Sequence, residues 1–251
     1  MRLARAFIAA AVLLPMAAQA ADVSAVLAVP RQRIQSADYR VSGHLVKVDG
    51  SGARTSYGVN IKAHWFPGVL RVLVEVASPA SARANILLEM RPNGRNTVQI
   101  AHPGDAAPVT LPFEKWGDGL LGAGFSYEDF LEAQYFWAGQ SAQPAAKFGA
   151  RDCDVVKSTP GVQDRTHYAE VKTWLDHGIG FPVYTEKTLK DGQVKEFTYF
   201  GLRQNGGVWS ASQVEMKMRG HAGSTLLIVD RGTPKANLSL NDFSPAQLTH
   251  F

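Results

Sequence analysis

Residues 183–200 read Val183-Tyr184-Thr185-Glu186-Lys187-Thr188-Leu189-Lys190-Asp191-Gly192-Gln193-Val194-Lys195-Glu196-Phe197-Thr198-Tyr199-Phe200, and this stretch decides the architecture. Two runs rich in β-branched and aromatic residues flank Asp191-Gly192, a dipeptide that tolerates the positive φ of a tight hairpin turn, so the chain returns antiparallel to itself. The runs extend over Val183–Lys190 and Val194–Leu202. Outward from this hairpin, Tyr168–Asp176 precedes it, and Asn205-Gly206-Gly207, Val208–Met218, Gly220–Gly223 and Thr225–Val229 follow, which makes the C-terminal half an antiparallel meander. The N-terminal half repeats the design. Arg40–Val48 meets Asp49-Gly50, Val59–Phe66 meets Pro67-Gly68, Val69–Ala77 meets Ser78-Pro79, and Asn85–Arg91 meets Pro92-Asn93-Gly94 before Thr97–Ala101. Gly and Asn reverse the chain by accepting positive φ, and Pro does so by fixing φ. At least nine strands therefore follow one another in chain order.

One helical segment precedes them and one interrupts them. Val23–Ala28 is short, and Pro30 is expected to stop it, because proline lacks the N–H and crowds the preceding turn. The second starts at Ser126, an N-cap whose N–H Asp129 can reach in a capping box, with Glu128 and Asp129 at the positive end of the dipole. It is expected to run to about Ala138. Its apolar residues Tyr127, Phe130, Leu131, Tyr135, Phe136 and Trp137 are too many for a narrow stripe, so the element should cover an apolar surface. The open side of a curved sheet is the simplest place for it.

The N-terminus carries an address. Arg2 and Arg5 precede an apolar run from Ala6 to Ala17, and Ala18-Gln19-Ala20 closes it, the pattern of a secretory signal peptide. The run is shorter than the roughly 20 apolar residues of a membrane span. Cleavage after Ala20 leaves residues 21–251 as one exported domain, in a bacterial setting the periplasm, since no linker or repeat divides the remainder. The lone Cys153 can form no internal disulfide and lies far from the cleavage site, so it is no acylated lipoprotein cysteine. Its acidic neighbours Asp152 and Asp154 oppose the low thiol pKa of a nucleophile. The chain has 26 Lys+Arg against 22 Asp+Glu, and the basic residues are scattered among acids without the concentrated stripe of a nucleic-acid binder.

Catalytic patterns are sparse. His44, His64, His102, His167, His177, His221 and His250 show no metal-ligand spacing, and there is no Gly-x-Ser-x-Gly elbow. Gly117-Asp118-Gly119-Leu120-Leu121-Gly122 matches a dinucleotide loop by letter but follows no buried strand, so it reads as a flexible connection. Glu114, Asp118, Glu128 and Asp129 are the carboxylates that a glycoside-hydrolase-like reaction could draw on, although the helix start already explains the last two. No cofactor is implied.

The segment Leu121-Gly122-Ala123-Gly124-Phe125-Ser126-Tyr127-Glu128-Asp129-Phe130 resembles the Gly-Ser-Asp-Phe-Ser-Tyr-Glu-Asp-Leu signature of the outer-membrane lipoprotein-sorting, or LolA-like, proteins of bacterial periplasms. Tyr168–Asp176 with Phe181-Pro182-Val183 is similar to that family's central strands, Val208-Trp209 with Val214-Glu215-Met216 and Gly223-Ser224-Thr225-Leu226 to its closing strands, and Phe243-Ser244 with Leu248 to its terminal segment. The chain departs from the family at Ala123-Gly124, where Ser-Asp is usual, and at Ile100-Ala101-His102-Pro103, where a Tyr-hydrophobic-Pro step is usual. The resemblance implies a mainly β fold, a single curved antiparallel sheet forming an incomplete β-barrel with helices covering the open concave face. It also implies a carrier of lipid or lipoprotein acyl chains, served by an inner-membrane exporter and an outer-membrane acceptor. Candidate cavity residues are Trp65, Leu88, Met90, Phe130, Trp137, Trp174 and Met216. A lipid- or partner-sensing module that transfers nothing is the alternative, and a carboxylate-based hydrolase the second.

Overall fold

The computed structural model describes residues 22–92 and 96–251, so the N-terminal address, residues 1–20, lies outside the described residues. The order of elements is α1 (Val23–Gln35), β1 (Asp38–Val48), β2 (Arg54–Phe66), β3 (Val69–Ser78), β4 (Ala84–Met90), β5 (Thr97–Ala101), β6 (Val109–Thr110), β7 (Gly139–Phe148), β8 (Arg151–Thr159), β9 (Tyr168–Asp176), β10 (Pro182–Leu189), β11 (Val194–Phe200), β12 (Arg203–Asn205), β13 (Val208–Ser210), β14 (Gln213–Met218), β15 (Ser224–Pro234) and α2 (Pro245–Leu248). Thirteen strands pair antiparallel in one sheet, ordered β6-β5-β4-β3-β2-β1-β15-β14-β11-β10-β9-β8-β7, and β12–β13 forms a separate hairpin. Two meanders are thus joined along β1 and β15, from Tyr39 opposite Pro234 to Val48 opposite Ser224.

This topology dictates where the middle of the chain must go. β6 and β7 are consecutive in sequence yet form opposite edges of the sheet, so residues 111–138 have to cross from one edge to the other. They cross over the inner face, where Trp116, Leu120, Phe125, Leu131 and Tyr135 join one buried cluster with Val98 of β5 and Val156 of β8. Strands so far apart in the sheet order share a cluster because the sheet curls around the crossing segment. The expected fold class, a mainly β open half-barrel with its inner face covered, is what the molecule adopts.

The coverings differ from expectation in detail. The crossing segment is no continuous helix from Ser126 to Ala138 but two 3-10 turns, Tyr127–Phe130 and Ala133–Phe136. The break falls at Glu132, in the left-handed region at φ 46°, where both carboxylate oxygens accept from Arg33 Nη2, at 2.8 and 2.9 Å. A tertiary ion pair therefore overrides local helix propensity. The capping box at Ser126 and Asp129 is present as read. Helix α1 continues through Pro30 to Gln35, because Leu27, Pro30 and Ile34 form its buried stripe and the packing of the ring offsets the lost backbone bond.

Four strands are not apparent in the sequence, the short β6 and β12 and the longer β7 and β8. β7, Gly-Gln-Ser-Ala-Gln-Pro-Ala-Ala-Lys-Phe, has no β-branched residue and contains Pro144 within a register shift, and β8 alternates only weakly. The run Val208–Met218 is two strands, since the chain leaves the main sheet to build the β12–β13 hairpin. The branch point needs Gly201, at φ 59°, where a Cβ would lie 2.0 Å from Ser212 Oγ. On the outer face of the N-terminal meander the terminal segment packs Leu238, Phe243 and Leu248 onto Leu73 and Leu87. Strands β3 and β4 are thereby covered on both sides, which explains why they read as nearly unbroken apolar runs.

Candidate functional site

A cavity of about 410 Å³ lies between the inner face of the sheet and the crossing segment, within the usual range for ligand sites. Ile61, Leu70 and Val72 form one wall, Val214, Leu227 and Val229 another. Phe125, Phe130 and Leu131 cover it from the crossing segment, and Phe181, Phe197 and Tyr199 close the far side. Period-2 alternation places the strand residues there: on β2 the buried positions are Val59, Ile61 and Ala63, one face of one strand. The β12–β13 hairpin contributes Val208 and Trp209 at the opening.

The cover is fastened by charge. Asp129, fully buried, accepts hydrogen bonds from Lys187 Nζ at 2.9 Å, Lys195 Nζ at 3.0 Å and the Tyr168 hydroxyl at 2.7 Å, besides its capping contacts with Ser126. Burial alone raises a carboxyl pKa, but the two ammonium groups and the hydroxyl outweigh it and hold Asp129 well below the usual carboxylate range. Lys187 also stands 4.7 Å from the centre of the Phe197 ring. Beside it, Glu128 accepts from Thr166 Oγ1 and from the His167 N–H, and pairs with His167 Nδ1. The Arg33–Glu132 ion pair and a 2.7 Å bond from Arg31 Nε to the Tyr135 carbonyl tie the cover to α1.

Of the seven candidate residues, Phe130 lines the cavity. Leu88, Met90 and Met216 lie in the packed interior around it. Met216 reaches across to Gly124, where a Cβ would stand 1.7 Å from its methyl carbon. The departure from the family's Ser-Asp pair at Ala123-Gly124 thus makes room for a thioether, and Gly124 N donates to Thr225 Oγ1 at 2.9 Å. Trp65 is half-buried and stacks on Phe136 at 6.1 Å. Trp137 belongs to a separate cluster with Tyr168 and Val171. Trp174 faces away from the buried Thr173 and Leu175, edge-on to Tyr184, so it sits on the outer surface.

Of the four carboxylates weighed for hydrolysis, Asp129 alone reaches the cavity and it is occupied by two lysines. Glu114 and Asp118 are exposed. Five of the histidines pair singly with acids, among them His64 with Asp38 at 3.1 Å and His177 with Asp154 at 2.9 Å, and no metal-holding group of three occurs among the described residues. Burial pushes the Cys153 thiol up, with Asp176 and Asp152 adding to it. Gly117–Gly122 lies in the crossing segment with Leu121 at φ 57°, outside any strand-to-helix unit. No described helix is long and apolar enough to cross a membrane.

Comparison with known proteins agrees with this geometry. A domain named for outer membrane lipoprotein sorting from Vibrio parahaemolyticus superposes with a TM-score of 0.81 at 17% identity, covering 91% of this chain and 100% of its own. A DUF1329 family protein from Desulfovibrio piger gives 0.80 at 14% identity, with 90% and 98% covered. A LolA superfamily protein from Nitrosomonas europaea gives 0.66 at 16%, with 90% and 99% covered. No curated protein matches by sequence. A family model whose description reads "uncharacterized protein" matches residues 69–250, from β3 to the terminal segment. The chain belongs to the family of that model, and its fold is the LolA-like fold of the outer-membrane lipoprotein-sorting proteins.

Proposed function

We propose that the protein binds the hydrocarbon of a lipid or lipoprotein in the covered cavity and carries it through the periplasm toward the outer membrane, residues 21–251 acting as one half-barrel unit. The observation that carries this reading is the apolar cavity of about 410 Å³ beneath the crossing segment. Each CH₂ withdrawn from water contributes about 0.8 kcal/mol, so a sixteen-carbon chain left in solvent forgoes about 12 kcal/mol. A carrier must hide that surface and release it again. The cover suits both needs, being held by discrete polar contacts on one side and resting on aliphatic side chains elsewhere. The Arg-led leader supports export, and cargo handed on at both ends calls for an inner-membrane donor and an outer-membrane acceptor. Among the described residues each carboxylate lining the cavity is engaged by a cation or by backbone N–H groups, which supports binding without turnover.

The test is uptake of a fluorescent fatty acid followed by transfer from donor to acceptor vesicles. Uptake with accelerated transfer is expected, and Phe130→Glu should abolish uptake by placing a charge on the cavity wall. Uptake without transfer would assign the chain to the sensing class instead. Failure to take up any acyl chain would remove the proposal.

A further inference from the structure

The mouth of the cavity has a sign. Its exposed lining residues include Arg40, Arg203 and Lys235, together with Tyr39, Val208 and small polar groups, and none of them is acidic. Arg203 and Lys235 enter no ion pair among the described residues, while Arg40 donates to Asp242 at 2.9 Å. Three acids line the cavity, Asp38, Asp129 and Glu132, and each is engaged. Asp38 accepts from the Asn237 and Leu238 N–H groups and pairs with His64. Glu132 is paired with Arg33, and Asp129 is shared by Lys187 and Lys195. The last cluster itself holds two ammonium groups against one carboxylate, so the interior field adds to that of the rim and favours an anion.

The mouth is also amphipathic. Tyr39 and Val208 are each 38% exposed, and the hairpin tip lies over β15, where a Cβ on Gly206 would be 3.4 Å from Pro234. A ligand threaded through this opening meets aliphatic and aromatic surface on the way in and unmatched cations where it emerges. A neutral cargo gives those cations nothing to do.

We propose that the cavity selects an anionic amphiphile, a long-chain carboxylate or alkyl phosphate, its tail on the apolar walls and its acidic head at the mouth among Arg203, Lys235 and Arg40. This rests on the hydrocarbon-binding reading and names the chemistry of its ligand. Arg offers a fork that matches carboxylate or phosphate oxygens, and Lys a point charge. Both sit at the rim, so their attraction is partly screened and weakens with salt.

The experiment is a competition titration of the mature protein with amphiphiles of one chain length, palmitate, hexadecyl phosphate, hexadecanol and hexadecyltrimethylammonium, each below its micelle concentration. The two acids should bind about tenfold tighter than the alcohol at low salt, the cation most weakly, and the advantage should shrink at high salt. In a folded R203E/K235E variant, checked by circular dichroism and Tm, the acid-to-alcohol affinity ratio should fall to about one or below. Tighter hexadecyl phosphate would mark a phospholipid-like head, tighter palmitate a free fatty acid. Equal binding of acids and alcohol, or a ratio that survives the double charge reversal, overturns this inference and leaves the cavity a neutral carrier. If none of the amphiphiles binds, the hydrocarbon-binding reading fails and this inference with it.

Discussion

The two meanders that meet at β1 and β15 present different inner faces. On the N-terminal one, β2 to β5 offer Ile61, Ala63, Val72, Val74, Ile86 and Leu88, all aliphatic and all buried. On the C-terminal one, β9 to β11 bury Thr173, Thr185, Lys187 and Lys195. The crossing segment touches both, through neutral hydrogen bonds on the first, Tyr57 hydroxyl to the Leu121 carbonyl and Leu111 N–H to the Val98 carbonyl, but its buried ionic contacts fall on the second: Asp129 with the two lysines and Tyr168, Glu128 with Thr166 and His167. Hydrophobic contact is non-directional and tolerates sliding, whereas a buried charge cluster holds one geometry. The cover is accordingly fixed by buried charge at the C-terminal meander and held to the N-terminal one by neutral hydrogen bonds and apolar contact, which makes the former the hinge side.

The sharpest way to break this contrast is Asp129→Ala. Removing one partner of a buried ionic cluster costs about 3–5 kcal/mol, here by leaving two ammonium groups unmatched, and chemical denaturation should report a loss of that order. The same carboxylate sets a pH dependence. Its folded pKa is depressed, so its stabilisation is fully present above the ordinary aspartate value of about 3.9 and is lost as pH falls through that range. Asp129→Asn should flatten the acid limb of a stability-versus-pH curve, and an unchanged limb would refute the hinge assignment. Leu88→Ala, on the aliphatic side, should cost about 3 kcal/mol through a cavity, with no change in that acid limb. Arg33→Ala frees Glu132 and should cost about 1 kcal/mol, while speeding ligand entry in stopped-flow uptake. Trp174→Ala, on the outer surface, should change acyl-chain affinity least of all, by less than about twofold; a larger loss would place the ligand elsewhere.

Much of this contrast could be read from the sequence, and its central element was nearly legible. Turn dipeptides such as Asp49-Gly50 and Asp191-Gly192 bound strands because their chemistry is local, and β5 and β9 have the limits that the sequence suggests. β7 was hidden by its small, polar residues and Pro144, which pair only because β8 lies alongside. Asp129 was read as a cap, correctly, yet its lysine partners lie 58 and 66 residues away. A signal for them did exist. In a hairpin turning at Asp191-Gly192, Lys187 and Lys195 fall opposite each other, on the face that also buries Thr185 and Phe197. Like charges in direct register repel, so an inward lysine pair requires a carboxylate from another element. Of the seven candidate cavity residues Phe130 lines the cavity, because aromatic and methionine content marks burial, but not which buried residues border a void. Only the path of residues 111–138 decides that, and it follows from strand order.

The sheet's two margins carry a last consequence. β6 is two residues long and β7 is interrupted at Pro144, and they never join. A closed barrel fixes its girth through strand number and stagger; a ring left unlatched can spread or tighten by small changes in twist, with every ladder bond intact. Cargo of differing thickness, from a single alkyl tail to a branched bundle, could then be gripped by one framework, its elasticity supplied by the missing seam.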